Sequence, residues 1–405
     1  MTIDRYFLML ILLLFLNTSC SGSATKSISN QQEPATEASG IITGAEQTEA
    51  YLKRLSGKAV AVVANQTSLI KGVHLVDTLV AAKILIKKVF APEHGFRGEA
   101  GPGDKVVSGK DALTGLPVVS LYGSHKKPTS SDLTDVDYVI FDIQDVGVRF
   151  YTYISTLHLV MEACAENKVQ LIVLDRPNPN GFYIDGPVLD TAFKSFVGIA
   201  PIPVVHGLTL GEYAMMANGE GWLKDAIKCE VSVVKMKGYS HSMLYELPVR
   251  PSPNLPGMRS IYLYPTLCFF EGANVSVGRG TDKPFEIAGY PDFVGGDLGY
   301  TPKEIAGVIK DPPYEGVACR FIDFGAKSKL ILTQKKLMVD WLISMYESFP
   351  DKDKFFIKFF DTLAGTDKLR NQIINHVGEA AIRKSWQEDL DRYKTKRSNY
   401  MLYAD

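Results

Sequence analysis

Residues 84–98 read ILIKKVFAPEHGFRG, an apolar run that stops at a proline and then places a carboxylate, an imidazole and a guanidinium within five positions. Pro92 ends a central strand because it has no N–H to give the ladder. Gly95 and Gly98 allow backbone conformations closed to other residues. The segment therefore reads as a strand whose loop presents Glu93, His94 and Arg97 at the rim of a sheet. In open α/β sheets, ligands bind beyond the carboxyl ends of the strands.

The same pattern recurs to either side. KAVAVVANQTS (58–68) is a buried strand ending in Asn65-Gln66-Thr67-Ser68. VDYVIFDIQDVGVRF (136–150) runs into Asp142, Gln144, Asp145 and Arg149, and QLIVLDRPNPNG (170–181) into Asp175, Arg176 and Asn178. Between these runs, residues 42–53, GVHLVDTLVAA (72–82) and TYISTLHLVMEACAENK (152–168) have helical spacing. Apolar strands alternating with amphipathic helices predict an α/β fold with a mostly parallel, doubly wound sheet over residues 42–250. Strands buried on both faces have no use for carboxylates or arginines except at the rim, so four polar strand ends point to one shared site. Glu162 and Glu166 read as solvated surface, and Tyr151 and Tyr153 as either core or sugar platform.

From residue 251 the character changes. The stretch 252–291, from SPNLPGMRS to EIAGYP, is rich in Gly, Pro and Asn and predicts long ordered loops. GVACRFIDF (316–324) and SKLILTQ (328–334) read as strands, KKLMVDWLISMYESF (335–349) as a helix, and 379–393 as a final helix. Residues 251–405 are thus expected to form a second, smaller α/β auxiliary domain that completes the cleft.

The chain has 405 residues and a net charge of −1, and no long basic run suggests a nucleic-acid partner. Residues 1–19 carry one early arginine and an apolar run, Tyr6 to Leu16, too short to span a bilayer. They read as a signal peptide. Leu16-Asn17-Thr18-Ser19-Cys20 resembles a bacterial lipobox, which makes Cys20 a lipid-attachment site and residues 20–41 a polar tether. The chain is then an exported lipoprotein of the periplasm or cell envelope, held to a membrane by its N-terminus. Cys164, Cys229, Cys268 and Cys319 show no metal-ligand spacing and sit among apolar neighbours, as core thiols do.

Several chemistries lack their signatures. GxGxxG is missing from the first strand–helix turn and GxxxxGK[ST] from the whole chain, so no nucleotide cofactor is expected. GxSxG and HExxH are also missing. A lone His94 with Asp142 and Asp175 is a thin basis for a metal site, and none is expected. What remains is a set of carboxylates, arginines and amides: the strand-end groups together with Asn254, Glu271, Asn274, Arg279 and Glu286. Paired carboxyls of this kind suit glycoside hydrolysis, in which one protonates the leaving oxygen and another group supports the cationic sugar. Arg149 and Arg176 have a plainer reading, as ion-pair partners of Asp145 and Asp175. Glu271 follows Phe269-Phe270, and a carboxylate in that setting is costly unless it has a function.

APEHGFRGEA, SLYG, VDYVIFDIQDVGVRFYTYISTL, LDRPNPNG, DGPVLD, HGLTLGEYA, PSPNLP and FFEGANVSVGRGTDKPFE together resemble the bacterial exo-β-N-acetylmuramidase family, with Ala273 where that family usually has Thr. The resemblance implies a Rossmann-like domain, an auxiliary domain and a cleft between them. It also implies release of N-acetylmuramic acid from the non-reducing end of peptidoglycan fragments such as the muramyl-glucosaminyl disaccharide. On this reading Glu93 is the general acid, with Glu271 or Asp142 as base, nucleophile or electrostatic support. Arg97, Arg176 and Arg279 are candidates for the lactyl carboxylate, because a guanidinium fork matches it bidentately. Gln144, Asn178, Asn254 and Asn274 would serve the neutral groups of the sugar, and His94 would orient it. Two other readings stay open, a non-catalytic muropeptide-binding lipoprotein and a metal-dependent hydrolase of cell-wall sugars.

Overall fold

The computed structural model describes residues 40–98 and 108–405, so the signal segment, Cys20 and most of the tether lie outside the described residues. The central strands are β1 (Ala59–Ala64), β2 (Leu85–Ala91), β3 (Gly109–Lys110), β4 (Pro117–Ser120), β5 (Tyr138–Asp142) and β6 (Gln170–Leu174). A two-stranded ribbon follows, β7 (Asp185–Val188) with β8 (Pro203–Val205), and β9 (Val231–Val234) returns to the main sheet. That sheet has seven strands in the order β9-β6-β5-β1-β2-β4-β3, parallel except for the edge strand β3. The chain winds outward from β1 through β2 to β4, then crosses back to β5 on the other side of β1. This reversal of direction creates a crevice at the carboxyl ends of β1, β2 and β5.

Residue alternation explains why these segments are strands. Ala61 and Val63 face one apolar cluster while Val60, Val62 and Ala64 face the other, so each side of β1 is covered. Helices α1 (Leu75–Ala81), α2 (Tyr153–Asn167) and α3 (Leu210–Gly219) supply the cover. Thr209 caps α3 in a reciprocal box with Glu212. Glu162, expected at the surface, is buried on α2 and accepts from Lys127 Nζ at 3.0 Å and the Lys224 N–H at 2.8 Å. Its i,i+4 spacing looks solvent-facing until the segment near residue 224 is laid across it.

Beyond residue 251 lies a three-stranded antiparallel sheet, β10 (Ile287–Tyr290), β11 (Leu298–Tyr300) and β12 (Cys319–Asp323), with β12 in the centre. Three expectations for this half need correction. The loop-rich stretch contains a helix, α4 (Met258–Leu267), with Pro265 inside it. Pro265 cannot bond the Ile261 carbonyl, which Asn180 Nδ2 takes up instead at 3.2 Å. SKLILTQ is a helix, α5 (Ser328–Gln334), because its short apolar run buries Ile331 while Leu330 faces outward. The last expected helix is two, α9 (Glu379–Ser385) and α10 (Gln387–Arg397), broken at Trp386; α6 (Val339–Ser348), α7 (Phe359–Ala364) and α8 (Lys368–Ile374) precede them. Residues 42–53 form only a 3-10 turn and one helical turn, Leu52–Leu55.

One apolar cluster runs from Ala61 and Phe90 through Phe269 and Phe285 to Tyr393, so both halves of the described chain share a core. Cys164, Cys229, Cys268 and Cys319 are buried with free thiols.

Candidate active site

The loop after β2 is tight. The Gly95 N–H bonds the Pro92 carbonyl at 3.1 Å, and His94, itself buried, takes a left-handed φ of +72°. Such a conformation costs a non-glycine residue about 1 kcal/mol and persists only where the surroundings impose it. It turns the half-buried Glu93 side chain toward the start of α2, where Thr152 Oγ1 donates to Glu93 Oε2 at 2.8 Å. Tyr153 Oη lies 3.4 Å from the Glu93 carbonyl and accepts from Asn65 Nδ2 at 2.9 Å. The loops after β1, β2 and β5 therefore meet at one phenol.

The second half of the chain closes the pocket. Tyr151 Oη and Gln66 Nε2 both donate to the Pro251 carbonyl, at 2.9 and 3.1 Å, which seats the PSPNLP segment on the strand ends. Asn254 spends its amide N–H on the Val308 carbonyl at 2.9 Å, and its buried Oδ1 has no partner. Aromatic rings form a continuous wall, with centroids 4.9 Å apart for Tyr153–Tyr151, 5.9 Å for Tyr151–Tyr264 and 4.9 Å for Tyr264–Phe285. Phe285, another residue with positive φ, carries the Arg279 guanidinium 4.9 Å above its ring. Arg279 Nε bonds Glu271 Oε1 at 2.5 Å, while its buried Nη1 has no partner. Glu93, His94, Tyr151, Thr152, Asn254 and Arg279 line the pocket, with Ser252 and Tyr264 beside them.

Of the residues proposed from sequence, Glu93, His94, Asn254 and Arg279 come together, and the others are placed differently. Arg97 is held by Asp111, at 2.8 Å through both Nε and Nη2, and by Asp77 at 3.0 Å; the guanidinium keeps the Asp111 carboxyl well below its ordinary range. Asp142 and Arg176 form a buried bidentate pair at 2.6 and 2.9 Å, so Arg176 pairs with Asp142 and not with Asp175. Asp175 accepts from Thr209 at 2.7 Å, the Gly211 N–H at 2.9 Å and Tyr403 at 2.7 Å, while burial pushes its carboxyl up to about 6. Asp145 accepts the Gly147 N–H at 2.7 Å; its other oxygen is buried without a partner, and burial raises it to about 7.

Arg149 makes no ion pair with Asp145. It is fully buried and donates to four carbonyls, Pro187 and Ile202 at 2.7 and 2.8 Å and Leu363 and Ala364 at 2.9 and 2.7 Å. Gln144 donates to the Pro177 and Asp145 carbonyls at 2.6 and 2.8 Å, Asn178 to the Leu208 carbonyl at 2.8 Å, and Asn274 to the Lys354 carbonyl at 2.5 Å. Glu286 lies 3.4 Å from Arg259, and burial raises its carboxyl. Most of the strand-end polar groups therefore hold loops together.

Thr152 was missed in the sequence because a threonine before a helical run reads as an N-cap. Here it makes no capping bond and gives its hydroxyl to Glu93. Phe285 and Tyr264 carried no signal beyond being aromatic.

A doubly wound α/β protein with a carboxylate, an unpaired guanidinium nitrogen and an aromatic wall at its strand ends belongs to the class that handles small polar, sugar-like ligands. Family models make the assignment specific. The N-terminal model of the exo-β-N-acetylmuramidase NamZ matches residues 60–259 and its C-terminal model residues 262–403. The peptidoglycan β-N-acetylmuramidase NamZ of Bacillus subtilis is 37% identical over 373 residues, which cover 87% of this chain and 89% of that protein. A DUF1343 family crystal structure from Bacteroides fragilis is 43% identical with a TM-score of 0.84, covering 90% of this chain and 99% of its own. A second from the same organism is 30% identical with a TM-score of 0.73 and the same coverage. The chain belongs to the exo-β-N-acetylmuramidase NamZ family.

Proposed function

We propose that this chain is a glycoside hydrolase that removes N-acetylmuramic acid from the non-reducing end of peptidoglycan glycan fragments, with Glu93 as general acid. The observation that carries the mechanism is the Thr152–Glu93 bond at 2.8 Å at the edge of a pocket in which two further polar atoms, Asn254 Oδ1 and Arg279 Nη1, are buried and unpartnered. Buried polar atoms without partners are rare in native structures, and a ligand that satisfies both gains what the empty pocket lacks. Muramic acid offers a lactyl carboxylate for the guanidinium and N–H and O–H donors for the amide oxygen. The aromatic wall suits the apolar faces of a pyranose.

With Thr152 donating to Oε2, Oε1 is the oxygen left to hand a proton to the glycosidic oxygen as the C–O bond breaks; water then adds to the anomeric carbon, and the proton it loses restores the acid. Glu93→Gln keeps size and shape but has no proton to give. Its kcat on a chromogenic N-acetylmuramic acid glycoside is expected to fall about a thousandfold, with circular dichroism and melting temperature unchanged. A variant retaining near-full turnover refutes the assignment.

We further propose that the chain is exported and lipidated at Cys20, on the strength of the LNTSC sequence after a short apolar segment. Expression of Cys20→Ala in a bacterial host should move the protein from the membrane fraction to the soluble fraction. Equal partition of both forms counts against it.

A further inference from the structure

Arg279 is the one proposed lactyl-binding arginine that lines the pocket, and the structure shows what keeps it there. Glu271 sits in the 3-10 turn Cys268–Gly272 that continues α4. Phe269 and Phe270 anchor that turn in the core, and a Cβ on Gly272 would lie only 2.3 Å from the Phe360 backbone, so the turn has no room to shift. Glu271 Oε1 accepts from Arg279 Nε at 2.5 Å, and Oε2 lies 3.5 Å from Cys268 Sγ. The carboxylate does not line the Glu93 pocket. It faces a neighbouring groove with Asn274, Val277, Tyr314 and Phe359, and Arg279 borders both spaces.

We infer that Glu271 is a positioning residue that fixes the Arg279 guanidinium for recognition of the muramic lactyl group, and is not the second reacting carboxyl. The inference rests on the muramidase reading above. Binding Nε sets the plane of the guanidinium, and the Phe285 ring supports its face. Only the terminal nitrogens are then left to meet a ligand. An arginine held in this way loses little rotamer entropy on binding a carboxylate, whereas a free one loses most of it. The device therefore separates muramic acid from glucosamine, whose sugar ring is the same but lacks the lactyl ether.

The test uses the full chain, three single variants and one double variant, with kinetics on the chromogenic muramic glycoside and calorimetric titration of N-acetylmuramic acid and N-acetylglucosamine. Glu271→Gln retains an oxygen acceptor for Nε and should stay within about threefold of wild type in kcat and KM. Glu271→Ala should raise KM about tenfold with kcat within about threefold, and should erase any preference for muramic acid over glucosamine in binding. Arg279→Met should reproduce that phenotype, and Glu271→Ala combined with Arg279→Met should be no worse than Arg279→Met alone. A loss of kcat of a hundredfold or more in Glu271→Gln overturns the inference, as do additive effects in the double variant. If the wild type cleaves nothing, the hydrolase reading fails by itself. The titrations still decide the positioning role, because a muramic preference insensitive to Glu271→Ala, or no preference at all, overturns it.

Discussion

Glu93 is fixed before any substrate arrives, by a left-handed neighbour on one side and the Thr152 hydroxyl on the other. Thr152→Val should therefore lower kcat about ten- to a hundredfold with little change in KM, and Thr152→Ser should restore most of it. Asp145 offers a test by pH. Its carboxyl, raised by burial to about 7, keeps its proton in the folded state where the unfolded chain, titrating near 4, has lost it. Proton uptake is then greater in the folded state between those values, so this group's contribution to stability declines as pH rises from about 4 to 7. Thermal melts of Asp145→Asn should lack that decline and overtake wild type at pH 8. From sequence, Glu93, Asp142, Asp145 and Asp175 look alike, each a carboxylate at or just past a strand end. What separates them is the partner each meets. Arg176 neutralises Asp142 from the adjacent strand end, but Asp175 is bonded by Tyr403, which lies 228 positions away and cannot be paired with it by local pattern.

Among the elements, the turn between β5 and α2 carries the greatest burden. Arg149 leaves it to bond carbonyls from β7, from the residue before β8 and from the end of α7. Arg149→Met should destabilise the protein by more than about 3 kcal/mol, since it removes four buried hydrogen bonds and of their acceptors the Ile202 carbonyl keeps the Leu189 N–H; denaturant titration measures this directly. Gly147, two residues earlier, has a φ of +77°, and a Cβ there would lie 1.9 Å from Asn178 Oδ1. Gly147→Ala should accordingly displace Asn178 and loosen the loop after β6. The parallel strands were legible because double-sided burial leaves a continuous apolar run with a polar end. Ser328–Gln334 was not, because an apolar run this short fits a strand or a one-sided helical turn equally well, and only the packing of Ile331 decides.

At the scale of the whole molecule, the family models divide the chain near residue 260, while its core does not divide there. Residues 40–259 expressed alone would expose the apolar surface that α4 and Phe269, Phe270 and Phe285 cover. This fragment should bind a hydrophobic dye and melt without a cooperative transition, whereas the full chain should unfold in one step. Cooperative unfolding of the fragment would show that the first half carries its own core.

Tyr403 adds a consequence in time. Asp175 closes the carboxyl end of β6, yet one of its donors, Tyr403, is synthesised 228 residues later, and the Leu402 N–H likewise reaches back to Glu212 at 2.9 Å. A nascent chain that has completed every strand of the main sheet has Thr209 and Gly211 to bond this buried acid, but still lacks its phenol donor. Full bonding of Asp175 and Glu212 therefore waits until residues 402 and 403 have emerged from the ribosome.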